Sequence, residues 1–278
     1  MALIPNHGAE LYFEVHGTEG AAVLLIQGVG AIGNAWKPQV DELASSHRLA
    51  LFDNRGIGRS TIAKNAPFSI AQMADDARAV MDAAGWDSAH VVGHSMGGVI
   101  AQQLALAHPR RVRSLALLCT VARGKDAVQM TPRMIWTALR TSLGSKPARR
   151  KAFLQLIYPK DFLLTIDCAA LAAELAPLFG HDLAEQSPIA MRQAMSLRRH
   201  DGTAGLRSLG GIPTFVLSAA HDPIAPPKFG KELAAQIPGA RFVEISDASH
   251  GVTIHQSTRV NRLLAEHFSR AGGPAGGV

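Results

Sequence analysis

Short runs of mostly apolar residues recur along the chain, and segments with helical periodicity lie between them. The apolar runs, whose length is typical of buried strands, are 23–27, 49–52, 89–92, 115–119, 214–218 and 241–245. The helical segments are 70–84, 96–107, 228–236 and 258–269. A hairpin is predicted at the N-terminus, over 3–8 and 11–15. This alternation predicts an α/β protein with a mostly parallel, doubly wound sheet that is covered by helices on both faces.

The alternation stops after Thr120, and only helical patterns follow until strands resume at Ile212. We therefore predict an α/β core made of residues 1–121 and 206–270, interrupted by a helical cap over 122–205. The glycine-rich end, 271–278, is predicted to be disordered. Because ligands bind at the carboxyl ends of the strands in open α/β sheets, the cap is expected to cover a site there. The alternative is a helical flank elsewhere on the sheet.

Composition limits the classes of protein to which the chain can belong. Of its 278 residues, 47% are hydrophobic and 18% are charged, which predicts a large core and excludes global disorder. The N-terminus lacks the pattern of a signal peptide, and no run of 18 apolar residues occurs, so we expect a cytoplasmic protein without a membrane span. Cys119 and Cys168 form no Cys-x-x-Cys motif, which predicts reduced thiols and no metal site.

The net charge of +6 is concentrated in the middle of the chain. Residues 122–205 contain twelve Lys and Arg but only seven Asp and Glu. A solvated helical face explains this surplus most simply, and attraction of anions toward a nearby cleft is the alternative. No dedicated nucleic-acid site is predicted, because the surplus is confined to this one segment.

The most specific motif is G-x-S-x-G at residues 93–97, which Gly98 follows. An apolar strand precedes the motif and a helical pattern follows it. A sharp turn from strand to helix exposes the side chain at its corner, and glycines are needed where the backbone is crowded. Ser95 is therefore a candidate nucleophile, whereas the simpler interpretation is a glycine-rich loop that caps a helix.

A serine nucleophile needs a base, which is usually a histidine oriented by a carboxylate. We select His250, because it follows the last strand and shares the strand-end edge with Ser95. His255 is the main rival. His94 is expected to point elsewhere around the turn, and His267 is expected to lie on a helix.

The candidate acid is Asp222, in the loop after strand 214–218. The order Ser95, Asp222, His250 matches the chain order of triads built on this type of turn. A turn initiated by Asp222 and Pro223 is the structural alternative. Asp247 is the alternative acid, but it lies in the same short loop as the histidine.

Acyl transfer also needs hydrogen-bond donors for an oxyanion. The backbone N–H of Met96, at the start of a helix, is one candidate. The second is the N–H of Val29, because Gly28 and Gly30 allow the backbone of that loop to approach closely. The alternative for this loop is an ordinary glycine turn.

Together these residues resemble the α/β-hydrolase superfamily. The motif at 93–98 is similar to its nucleophile turn, and the segment from Asp53 to Ser60 is similar to the D-x-R-G-x-G-x-S turn of its capped members, where Asp53 and Arg55 would be scaffold. The resemblance covers most of the chain outside the cap. Many relatives have His-Gly before the first oxyanion donor, where this chain has Gln27 and Gly28. Resemblance to epoxide hydrolases and haloalkane dehalogenases ends at Ser95, because their nucleophile is a carboxylate.

The resemblance is greatest to small capped bacterial esterases, lactonases and methylesterases. It implies a cofactor-independent serine hydrolase, a monomer or homodimer, that cleaves an ester or lactone of a small to medium apolar substrate. Two alternatives remain open: hydrolysis of a carbon–carbon bond in ring-cleavage products, and a non-catalytic ligand-binding protein. Six residues of the cap are candidates for lining the substrate pocket, although such residues are more often part of a core: Met130, Met134, Trp136, Leu139, Leu154 and Phe162.

Overall fold

In the computed structural model, the described residues are 1–128, 136, 139–185 and 187–272. Nine strands in this part of the chain form one sheet. Their bounds are β1 Ala2–Asn6, β2 Ala9–His16, β3 Ala21–Ile26, β4 His47–Phe52, β5 Thr61–Ile62, β6 Ala89–His94, β7 Val112–Leu118, β8 Thr214–Ala219 and β9 Arg241–Ile245.

The strands lie in the order β1-β2-β4-β3-β6-β7-β8-β9, and the short β5 pairs with β2. All neighbours from β4 to β9 along this order are parallel, whereas β1, β2 and β5 pair in antiparallel fashion. The carboxyl ends of β3, β6, β7, β8 and β9 therefore meet at one edge, and the mostly parallel sheet is confirmed.

Helices cover both faces of the sheet. They include α1 Lys37–Leu43, α2 Ile70–Ala83, α3 Met96–Ala107, α4 Gly124–Ala127, α5 Lys146–Ile157, α6 Lys160–Leu163, α7 Cys168–Phe179, α8 Ala190–Arg199, α9 Pro227–Gln236, α10 Val252–His255 and α11 Ser257–Gly272.

Two cores, one on each face, result from the alternation of side chains along the strands. In β3, Leu24 and Ile26 pack into the core that contains α2, α3 and α9. Val23 and Leu25 pack into the opposite core, with α1 and α11. Because both faces of β3 are buried, its sequence is a continuous apolar run.

The described part of the chain between β7 and β8 contains helices α4 to α8 and no strand, apart from an isolated bridge between Arg123 and Asp201. A third apolar core lies within this segment, where Leu154, Leu175 and Phe179 pack together. Ala31 and Ala35 of the α/β core join the same cluster. The helical insert therefore packs against the segment that follows β3.

The C-terminal helix α11 continues through Gly272, two residues into the predicted tail. Its last turn therefore departs from the prediction of disorder, and residues 273–278 lie outside the described part. Among the described helices, none combines the length and the apolar character that crossing a bilayer requires.

A buried ion pair holds the turn after β4 against α2. Arg55 donates two hydrogen bonds of 2.5 Å to the two carboxylate oxygens of Asp76, and a third of 2.5 Å to the carbonyl of Pro67. Both charged side chains are almost completely buried. Removal of one partner would leave a buried charge without compensation.

We expect Asp76→Ala to lower the free energy of unfolding by about 3–5 kcal/mol, because the guanidinium of Arg55 would stay buried without its partner. Urea denaturation measures this loss. Asp41→Ala is the control, because Asp41 pairs with Lys37 at the surface and should cost less than about 1 kcal/mol. Equal losses in the two variants would contradict the role of burial.

Candidate active site

Ser95 occupies the turn between β6 and α3 with an unusual backbone conformation. Its φ is +56° and its ψ is −122°, a region that non-glycine residues rarely adopt. Its N–H donates to the carbonyl of Leu118 at 2.9 Å, and its carbonyl accepts from the Thr120 hydroxyl at 2.6 Å. The end of β7 thus holds the strained turn in place.

Glycines around Ser95 are required by close contacts. A Cβ on Gly93 would lie 2.2 Å from the carbonyl oxygen of Gly97, and one on Gly97 would lie 2.0 Å from that of Ile26. A Cβ on Gly28 would lie 2.9 Å from the Cβ of Ser95. The loop after β3 therefore passes directly beside the serine side chain, which only a glycine permits.

Three side chains from three strand ends form one chain of hydrogen bonds. The Nε2 atom of His250 lies 3.0 Å from the hydroxyl oxygen of Ser95. Its Nδ1 atom lies 2.8 Å from Oδ2 of Asp222. The structure thus brings together the three residues predicted as a triad, in the geometry that proton transfer from a serine hydroxyl requires.

The second oxygen of Asp222 is also occupied. Oδ1 accepts hydrogen bonds of 2.8 Å from the backbone N–H groups of Ile224 and Ala225. Burial by itself raises the pKa of Asp222, but the charge and hydrogen bond of His250 and these two N–H groups outweigh that effect. The net pKa is lower than usual, so Asp222 stays ionised and can stabilise a protonated His250.

His94 lies beneath the triad and supports the loop that carries His250. Its Nε2 lies 2.8 Å from the backbone carbonyl of His250, and since a carbonyl only accepts, this nitrogen carries the proton. Burial and the nearby His250 lower the pKa of His94 to about 3. His94 is therefore a neutral hydrogen-bond donor at ordinary pH, and sequence reasoning did not assign it this contact.

Among the described residues, no hydrogen bond occupies the backbone N–H groups of Val29 and Met96, the two candidate oxyanion donors. The N–H of Met96 belongs to the first turn of α3, where helix geometry leaves donors free. Val29 is next to Gly28, which contacts Ser95 closely. Both N–H groups are thus available to a ligand that reaches the serine.

The rival residues considered from sequence lie elsewhere. Asp247 interacts at the surface with Gln256 and Arg259. The ring of His255 packs against Tyr158 and Phe162, and that of His267 packs against residues of the sheet and α11. Within the described residues, none of these three side chains contacts Ser95.

A cavity of about 840 Å³ opens beside Ser95 and His250, between the α/β core and the helical insert. Its volume lies in the range typical of small-molecule sites. Most of the described lining residues are apolar. The insert contributes Ala127, Val128, Leu139, Ser142, Leu143, Phe153, Leu156, Ile157, Phe179, Met191, Ala194, Met195, Leu197 and Arg198.

Of the six cap residues predicted to line a pocket, only Leu139 is among the described lining residues. Leu154 is completely buried in the core of the insert, and Phe162 packs against that core and stacks on Tyr158. Trp136 is 63% exposed and does not line the cavity. Predicting Leu154, Phe162 and Trp136 as lining was therefore wrong, because apolar character does not distinguish a helix's inner face from its cavity face. Met130 and Met134 lie outside the described residues.

Sequence reasoning missed Gln193 of α8, which links the insert to the loop after β3. Its Oε1 accepts a hydrogen bond of 2.8 Å from the N–H of Gly30, next to Val29. The side chain is completely buried, and its Nε2 has no partner among the described residues. A polar residue between the apolar residues of an amphipathic helix was the available signal.

Ligand atoms of His94, Cys119 and His250 lie within 4.8 Å of one another, as in many metal sites. However, the nitrogens of His250 already bond to Ser95 and Asp222, and His94 donates to the His250 carbonyl. Burial and the nearby Asp222 raise the pKa of Cys119 well above its usual value, so the thiol stays protonated. These contacts favour a hydrogen-bonded network over a metal centre, and the absence of a metal stays a prediction.

The chain is similar to known proteins over most of its length. A family model described as the alpha/beta hydrolase fold matches residues 21–254. A protein of Azorhizobium caulinodans named "Putative carbamate hydrolase RutD" is 34% identical over 93% of this chain and 95% of its own length.

Two solved structures are also similar. The enol-lactonase from Burkholderia xenovorans has a TM-score of 0.80 and 26% identity, covering 96% of this chain and 100% of its own. A thermophilic esterase from Thermogutta terrifontis has a TM-score of 0.76 and 26% identity, covering 95% and 94%. The likeness extends over nearly the whole length of each protein.

The strained conformation of Ser95 predicts that a glycine variant is more stable than an alanine variant at this position. Ser95→Gly and Ser95→Ala both lose the hydroxyl, but only glycine adopts a φ of +56° without strain. We expect the glycine variant to be more stable by about 1–3 kcal/mol, although glycine is normally the less stable residue. Chemical denaturation of both variants measures the difference, and an alanine variant of equal or greater stability would contradict the strain.

Proposed function

Since this chain belongs to the family of the alpha/beta hydrolase fold, we propose that it is a serine hydrolase that cleaves carboxylic esters or lactones through an acyl-enzyme. The observation that carries this proposal is the hydrogen-bonded series Ser95–His250–Asp222 at the base of an apolar cavity. A serine hydroxyl in contact with an oriented imidazole is a nucleophile with its base.

In the proposed mechanism, Ser95 attacks the substrate carbonyl while His250 accepts the hydroxyl proton. His250 then protonates the leaving alcohol, and afterwards activates the water that releases the acid. Asp222 keeps its negative charge and stabilises the imidazolium. The free N–H groups of Val29 and Met96 would donate to the oxyanion that forms on the carbonyl oxygen.

The cavity supports the proposed substrate class. Apart from Ser95 and a few other polar groups, its described lining consists of apolar side chains such as Phe153, Phe179 and Met195. Such a surface binds the hydrocarbon portion of an ester or lactone by the hydrophobic effect. Two proteins of similar structure are an enol-lactonase and an esterase.

Carbamate cleavage is a second candidate, because the 34% identical relative carries that name. It would use the same attack by Ser95 on a carbonyl carbon. The large apolar lining favours a carbamate with a hydrocarbon substituent over a small polar one. Matched phenyl esters and phenyl carbamates would separate the two activities, since only the acyl portion differs.

Removal of the nucleophile tests the proposal most directly. Turnover of p-nitrophenyl butyrate by Ser95→Ala should fall by a factor of about 10³ or more. Ser208→Ala is the control, because Ser208 is exposed and, within the described part of the chain, its hydroxyl donates only to the carbonyl of Gly205. In addition, a fluorophosphonate probe should label Ser95 of the wild-type protein, as detected by mass spectrometry. Equal turnover by wild type and Ser95→Ala would reject the assignment.

Gln193 should affect the rate of the chemical step, because it holds the Gly30 N–H next to the proposed donor Val29. We expect Gln193→Leu to lower kcat about tenfold while KM changes little, and Gln193→Glu, which keeps an acceptor, to recover part of the loss.

Ser196→Ala is the matched control for Gln193. Ser196 lies on the same helix, and its hydroxyl donates to the carbonyl of Phe68 rather than to the loop after β3. Steady-state kinetics of the three variants compare the two contacts. A similar fall of kcat in Ser196→Ala and Gln193→Leu would mean that Gln193 only anchors the helix.

A further inference from the structure

Among the described residues, one cation lies on the mostly apolar wall of the cavity. Arg198, near the end of α8, is the only Lys, Arg, Asp or Glu among the described residues that line it. The residues around it in the sequence, Ala194, Met195 and Leu197, also line the cavity and are apolar. Arg198 is itself exposed to solvent. Beside these apolar residues its guanidinium can donate charge-assisted hydrogen bonds to an anion that enters the cavity.

The guanidinium of Arg198 has a single hydrogen bond among the described residues, from Nη1 to the carbonyl of Val128 at 2.8 Å. Val128 itself lines the cavity, so this contact holds the guanidinium against the cavity wall. The remaining donors of the planar guanidinium are available to a ligand.

Arg198 also forms no ion pair with any described residue, whereas other arginines of the insert do. Arg123 pairs with Asp126, and Arg150 pairs with Asp182. The residues outside the described part contain no Asp or Glu in their sequence. The surplus of positive charge in 122–205 therefore includes one arginine that faces the cavity without a carboxylate of its own.

We propose that Arg198 binds an anionic group of the substrate, so that the preferred substrates are esters or lactones with an apolar body and a carboxylate. This inference rests on the proposed hydrolase function. The reacting carbonyl lies at Ser95, the hydrocarbon portion fills the cavity, and the carboxylate accepts hydrogen bonds from Arg198. The two oxygens of a carboxylate match the paired donors of a guanidinium.

The test compares two substrates that differ only in this charge. They are the mono-p-nitrophenyl ester of octanedioic acid and its methyl ester, which have the same chain and leaving group. In the wild-type protein kcat/KM should be higher for the acid. Arg198→Gln should lower kcat/KM for the acid about tenfold or more and change kcat/KM for the neutral ester by less than about twofold. Arg198→Lys should give an intermediate kcat/KM for the acid.

Arg199→Gln is the matched control. Arg199 is the adjacent exposed residue of the same helix, and it is not among the residues that line the cavity. The control removes the same formal charge, so it separates direct contact from the general positive field of the insert. Equal loss in Arg198→Gln and Arg199→Gln, or equal loss for both substrates in Arg198→Gln, would overturn the inference.

A binding measurement makes the result independent of turnover. Calorimetry with monomethyl and dimethyl octanedioate on Ser95→Ala should give tighter binding of the monoacid, and Arg198→Gln in that background should abolish the difference. If wild-type protein hydrolyses neither nitrophenyl ester but this preference is present, the proposed hydrolase function fails and the anion subsite stands. If hydrolysis occurs and the protein binds the monoacid no more tightly than the diester, the subsite fails and the hydrolase function stands.

Discussion

The conformation of Ser95 depends on close packing of the backbone on every side of one turn. A positive φ at a non-glycine residue is costly, and the surrounding structure must supply contacts that outweigh this cost. Here the carbonyl of Leu118 and the hydroxyl of Thr120 bond to the backbone of Ser95 from the end of β7. Glycines at 93 and 97 remove the side chains that would otherwise separate β6, α3 and the end of β3. The same contacts that hold the turn also bring the Gly28 loop to the serine.

A second constraint is the burial of charge at the triad. Asp222 keeps its negative charge in an apolar surrounding because His250 and two backbone N–H groups all bond to its oxygens. His94 donates to the carbonyl of His250, and Cys119 remains a protonated thiol beside Asp222. The buried polar groups thus form one connected network. Such a network orients the imidazole before any substrate binds, which is how preorganised sites reduce the cost of reaching a transition state.

The helical insert connects to this network at two positions of different character. Ala31 and Ala35 join the apolar core of the insert, which fixes the distance between insert and sheet. Gln193 then forms a polar contact with Gly30, beside the N–H group of Val29. Among the described residues, the cavity between these contacts has mostly apolar walls and one cation, Arg198. Gln193 and Arg198 both belong to α8, so this one helix contacts the loop after β3 and also lines the cavity.

The amino-acid sequence alone predicted the mostly parallel sheet and the three residues, Ser95, His250 and Asp222, that the structure joins in one series of hydrogen bonds. Apolar runs and helical periodicity are local patterns, and each of these three residues lies in the turn or loop that follows a strand whose end lies at a shared edge. The sequence did not determine which cap residues line the cavity: Leu154 is inside the insert's core, Phe162 packs against it, and Trp136 points to solvent. It also did not reveal the contacts of His94, Gln193 and Arg198. These depend on how helices pack across distances of many residues, and the same side chain can lie in a core, a cavity or at the surface according to that packing alone.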